Sequence, residues 1–105
     1  MRKLNHFGIP LSTPLEGKML RNEDLHLWYS DVADSENKIE FLVFDDECPF
    51  PDKVKNMPHI AYEVDSMEEV LKGAKILYGP FTPVAGMDVV FVEEEGVPVE
   101  FDYFY

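Results

Sequence analysis

Residues 58–69, PHIAYEVDSMEE, constrain this chain more than any other stretch. HIAYEV alternates, is rich in β-formers and predicts a buried strand. Ser66 follows almost at once, with Glu69 three residues later, which is the capping box that opens a helix. Glu68 and Glu69 suit the positive end of that helix. Val70, Leu71 and Ala74 give it an apolar stripe, and Gly73 marks its end. Ile60, Tyr62 and Val64 then back onto the helix, and His59, Ala61 and Glu63 face the other way. His59 stands at the start of the strand.

The same reading extends along the chain in both directions. Leu4 to Ile9 predicts a short strand ended by Pro10 and Pro14. Residues 14–22, PLEGKMLRN, predict one or two helical turns weakened by Gly17. Strands are expected at Leu25–Val32 and at Lys38–Phe44, with a polar turn over Ala33–Asn37 between them. Asp45–Asn56, charged and with two prolines, reads as a linker. After the helix come a short strand at Lys75–Tyr78, a loop punctuated by Gly79-Pro80 and Pro83, and a strand at Met87–Glu93. A hairpin turn at Glu95-Gly96 leads to a final strand, Val97–Phe104. The second half is strand, helix, strand, strand, strand, and the first half follows a similar, shorter order, so an internal pseudo-repeat is expected.

A chain of 105 residues, 46% hydrophobic and 13% aromatic, suits one domain with a real core. The formal charge of −12 disfavours nucleic acid and anionic membranes as partners. The acidic clusters at residues 45–47 and 93–95 read as solvated turns. No apolar run approaches the roughly 20 residues of a membrane span. The start, MRKLNHFGIP, has no h-region or cleavage site, so a cytoplasmic protein is expected. The lone Cys48 excludes an intrachain disulfide and a cysteine-rich metal site. Pro49 follows it with no basic neighbour, so it reads as an ordinary loop or core cysteine.

Aligning the halves on their histidines brings out a repeated pair. His6 in NHFGIP and His59 in PHIAYE open the two halves, and Glu40 in KIEFLVF and Glu100 in PVEFDYF lie in the strands that close them. By parity each of the four faces away from its strand's bulkier apolar neighbours. Taken singly, a strand histidine is most often a hydrogen-bonded core residue and a strand glutamate a solvated one. Repeated at matching places, two imidazoles and two carboxylates suit a divalent cation: Zn²⁺, Ni²⁺, Co²⁺, Mn²⁺ or Fe²⁺. A carboxylate in an apolar strand is also costly unless paired or bound to metal.

PHIAYEVDSMEEVL and ILYGPFTPVAGMDVVFVEEEGVPVEF resemble the second module of the vicinal oxygen chelate superfamily, which includes glyoxalases, bleomycin-resistance proteins and extradiol dioxygenases. The resemblance covers about residues 57–104, and extends more loosely over 3–44, where NHFGIP and KIEFLVF match the ends of a first module. It implies an α+β fold of paired βαβββ modules forming a cup-shaped mixed sheet, with the first module truncated. Module one would span about 1–45, the linker about 46–56 and module two about 57–105. It implies metal ligands at His6, Glu40, His59 and Glu100, a set similar to that of bacterial-type glyoxalases I. Related epimerases tend to carry glutamine at the position of Glu40, and extradiol dioxygenases keep two histidines and one carboxylate on longer chains.

The implied activity is that of a lyase, isomerase or epimerase acting on a small α-hydroxycarbonyl or related vicinal-oxygen substrate through an enediolate, with Glu100 or Glu40 as general base and Glu100 favoured. Glu63 and Asp102 share the ligand faces and are candidates to support the ligands, or else exposed rim acids. Trp28, Tyr29, Tyr103 and Phe104 are candidates for an apolar pocket, with core packing or a dimer contact as their blander role. Anionic conjugates would call for basic residues, and the nine Lys and Arg form no cluster, with Lys53 and Lys55 the closest approach. Two other functions stay open: a non-catalytic protein that sequesters a small molecule in the same cup, and an interaction protein with vestigial site residues. The small size and shortened half lead to the expectation of a homodimer.

Overall fold

The structure, a computed structural model, describes residues 1–105. Eight strands form one mixed sheet: β1 Arg2–Pro10, β2 Leu20–Asn22, β3 Leu27–Tyr29, β4 Ile39–Phe44, β5 His59–Val64, β6 Lys75–Val84, β7 Met87–Glu94 and β8 Val97–Phe104. Two short helices, α1 Asp52–Asn56 and α2 Met67–Leu71, complete the α+β fold. The strand order is β2-β3-β4-β1-β5-β8-β7-β6, so each half contributes four strands in mirror-related order. β1 runs parallel to β4, β5 runs parallel to β8, and β1 and β5 join the halves as an antiparallel pair. The sheet curls into a cup with two faces of different character.

One face is closed by α2. Ser66 accepts a hydrogen bond from the Glu69 amide at 3.2 Å, as the capping signal requires. Met67, Val70 and Leu71 then pack on Val64, Val90, Val92, Val99 and Phe101. These are the residues that alternation places opposite His59 and Glu100. The concave face holds a second core of Leu27, Leu42, Val89 and Phe91, filled from above by Cys48, Phe50 and Val54. Glu95 and Gly96 both adopt positive φ, the two-residue turn that matches strand twist and sets the register of β7 against β8.

Several expectations are corrected. Residues 14–22 form no helix; they run through a turn at Glu16 and Gly17 into β2, because Pro14 and Gly17 interrupt a stretch that has no apolar stripe to bury. Only Leu27–Tyr29 of the expected Leu25–Val32 strand pairs, since residues 23–26 make the turn of a β2–β3 hairpin. The stretch read as a linker contributes α1, and its Cys48, Phe50 and Val54 are buried in the cup. Phe50 packs edge-on to Phe91 and Tyr78, with ring centroids 5.1 Å apart in each case. β6 does not stop at Tyr78 but continues through Pro80 and Pro83 to Val84, with register shifts along the way. It is an edge strand, where a missing amide hydrogen breaks no ladder on the open side.

Candidate metal centre

β1, β4, β5 and β8 lie side by side at the middle of the sheet, and each sends one candidate ligand into the cup. Strand pairing sets their heights. Glu40 pairs with Gly8, and Gly8 in turn pairs with His59. Glu100 pairs with Ala61, and Ala61 with His6. His6 Nε2 lies 3.5 Å from Glu40 Oε1 and 3.9 Å from Glu100 Oε1, and His59 Nε2 lies 3.0 Å from Glu100 Oε1. Donor atoms of His6, Glu40 and His59 fall within 4.8 Å of one another, as do those of His6, Glu100 and Asp102. The four residues singled out by the repeated pair are therefore neighbours, and Asp102 joins them.

The backbone makes room for this cluster at two places. The register of β1 shifts between Leu4 and His6, so Asn5 sits at a bulge. Its Oδ1 lies 2.7 Å from His6 Nδ1, an N–H donating to an amide oxygen. That contact leaves the other ring nitrogen, Nε2, turned toward the acids, where it holds a proton in the metal-free protein and would offer its lone pair to an ion. The second place is Gly8. A Cβ there would stand 2.0 Å from His59 Cε1, so the imidazole lies directly over a glycine backbone. The sequence does not distinguish these two residues from ordinary strand positions. The adjacency of Asn5 to a ligand candidate is the one signal that points to it.

The electrostatics are those of a site short of positive charge. His6 Nε2, both ring nitrogens of His59 and both oxygens of Asp102 are buried without a hydrogen-bond partner. The 3.0 Å approach of His59 to Glu100 is thus close in distance but out of line for a hydrogen bond. Burial opposes a charge on His6, yet Glu40, Glu100 and Asp102 around it raise it to about 9. Burial, aided by the charge on His6, lowers His59 to about 4. Burial raises Glu100, and burial together with the neighbouring Glu100 carboxyl pushes Asp102 up to about 10, so the two adjacent buried carboxyls are not both charged near neutrality.

The cluster opens onto a cavity of about 200 Å³ lined by His6, Glu40 and Glu100 together with Asn22, Leu27, Tyr29, Leu42, Phe81, Met87, Val89 and Phe91. Of the aromatic residues considered for a pocket, Tyr29 lines it. Tyr103 packs on the opposite core, Phe104 is exposed, and Trp28 lies under the Arg21 guanidinium at 5.1 Å. Glu63 pairs across to Lys3 in the β1–β5 ladder and lies outside both donor groups. Asp102 is fully buried within one of them, so of the two rim acids only Asp102 reaches the centre.

No family model and no curated protein matches the chain. Solved structures do. A hypothetical protein from Bacillus halodurans C-125 aligns over 99% of this chain and 95% of its own, with TM-score 0.66 and 23% identity. Methylmalonyl-CoA epimerase from Mycobacterium tuberculosis aligns over 97% of this chain and 87% of its own, with TM-score 0.62 and 17% identity. At these identities the likeness shows the fold: a cup-shaped mixed sheet that spans the whole chain.

Proposed function

We propose that this protein is a metal-dependent enzyme of the vicinal oxygen chelate type, removing a proton next to a carbonyl in a small substrate with neighbouring oxygens. Isomerisation, epimerisation or elimination would follow from that step. The observation that carries this reading is the convergence of His6, Glu40, His59 and Glu100 from four strands, three of which, His6, Glu40 and Glu100, line a largely apolar cavity with His59 buried against Glu100. The donors fit a divalent cation. Two imidazoles and two carboxylates are ligands such ions take, and the buried, unpartnered Nε2 atoms of His6 and His59 are what a bound ion would satisfy. His6, Glu40, His59 and Glu100 would hold it, and the ion would supply Lewis-acid stabilisation of charge developing on a substrate oxygen.

The chain's own groups supply the rest. Glu100 lines the cavity and lies between His6 and His59, so it is placed to take the proton, with Glu40, 3.5 Å from His6, as the other candidate base. Asn5 fixes the His6 ring, and apolar walls flank the carboxylates. The test is metal content of untagged protein, thermal unfolding with added Zn²⁺ or Ni²⁺, and exchange of a substrate carbon-bound proton with deuterated water. Glu100→Gln should keep the fold and lower exchange by about a hundredfold or more. Protein that binds no metal and gains no stability from it would rule this function out.

A second function is favoured by one observation. β2 and β3, which form the wall of the first half, are three residues each, so that side of the cup is low. A cup of this kind suits capture of a small molecule without turnover, and recovery of a bound ligand unchanged after long incubation would support it.

A further inference from the structure

Which molecules the cavity admits follows from its charge and size. None of the nine Lys and Arg lines it. Arg21, next to the lining residue Asn22, is held by Asp45 at 2.7 Å and by Glu23 at 3.3 Å. Lys53 is held by Glu93 at 2.8 Å, and Arg2 by Glu94 at 2.8 Å. The ionisable groups the cavity does present are His6 and two carboxylates, with a third, Asp102, buried beside Glu100. A divalent cation bound there would be balanced by Glu40 and Glu100 alone, in a molecule whose formal charge is −12. No positive potential remains to draw in an anion. The neutral polar side chains in the lining are Asn22 and Tyr29, and Asn22 Oδ1 already accepts from the Leu25 amide at 3.0 Å.

The volume points the same way. About 200 Å³ is below the roughly 300–1,000 Å³ of pockets for drug-sized ligands. Phe50, lodged against Phe81 and Phe91, backs the wall from the side of the buried stretch before α1. We infer that the site takes a small uncharged molecule with an apolar flank beside its neighbouring oxygens, and rejects anionic carriers such as thioesters of coenzyme A. This inference rests on the proposed function for the placing of the oxygens, and on the lining for the rest.

A matched pair of probes tests it. Hydroxyacetophenone with its hydroxyl next to the carbonyl is uncharged, mandelate is an anion of similar size and shape, and methylmalonyl-CoA carries several charges. Calorimetry on metal-loaded protein should rank the ketone at least about tenfold tighter than mandelate, with no displacement by the thioester. Val84→Lys, which places a cation at an exposed lining position, should narrow the gap by strengthening mandelate binding. Mandelate or the thioester binding as tightly as the ketone in the unmodified protein would overturn the inference. The same ranking made on metal-free protein separates the two ideas. A failure to load metal sinks the proposed function, whereas the preference for the uncharged probe is read from the lining in either state.

Discussion

At the scale of single residues, the site depends on side chains that are absent as much as on those present. Gly8 leaves the space into which the His59 ring settles, and a Cβ 2.0 Å from its Cε1 would force that ring to move. Gly8→Ala should fold yet displace His59 and weaken metal binding by about 10–100-fold, the range seen when support for a ligand is lost. Titration with Zn²⁺ against a chelating dye would check it; unchanged affinity would contradict the placement. The buried acids make a second prediction, about pH. Asp102, at about 10, binds its proton more tightly folded than unfolded, so its stabilising effect is complete below the ordinary carboxylate range and is lost as pH rises toward 10. His6 contributes stability that is complete below 6.5 and is lost as pH rises through about 9. His59 acts in the other direction, its contribution present above 6.5 and lost as pH falls toward about 4. Metal-free protein should therefore unfold at lower urea concentration at pH 9 than at pH 6.5. Metal-loaded protein should show the opposite trend, because the ligands must shed protons to bind.

At the scale of elements, the stretch before β5 shows how local composition can mislead. Asp45–Asn56 is charged and proline-bearing, and those features describe its exposed residues correctly. Three apolar side chains in it nonetheless fill the concave core. Phe50→Ala should cost about 3–5 kcal/mol in urea unfolding, as for a buried aromatic, and a result near zero would restore the linker. α2 was legible because every signal in it agrees: cap, acidic first turn, apolar stripe and terminal glycine. The first half has no counterpart: the helical turns expected over PLEGKMLRN do not form, since it carries a few helix formers without a face to bury. Without that helix, Phe7, Ile9, Ile39 and Ile60 line an open groove on the back of the sheet.

At the scale of the whole molecule, the centre is a property of the seam between halves. His6 and Glu40 come from one half and His59 and Glu100 from the other, so neither half holds a complete set. Metal binding should consequently slow amide exchange in β1, β4, β5 and β8 together, while β2, β3 and β6 at the margins change little. Protection confined to one half, measured by hydrogen exchange with mass spectrometry, would contradict a shared site.

The sequence by itself determined most strands, the α2 helix, the halves and the faces on which His6, Glu40, His59 and Glu100 stand, because alternation and capping are local and survive without knowledge of neighbours. Tertiary structure alone decided the rest. The bulge at Asn5, the ring of His59 over Gly8, the burial of Asp102 beside Glu100 and the filling of the cup by Phe50 all arise where strands distant in sequence come into register. Which side chain meets which across a curled sheet is set by pairing and packing, and no period within one strand encodes it.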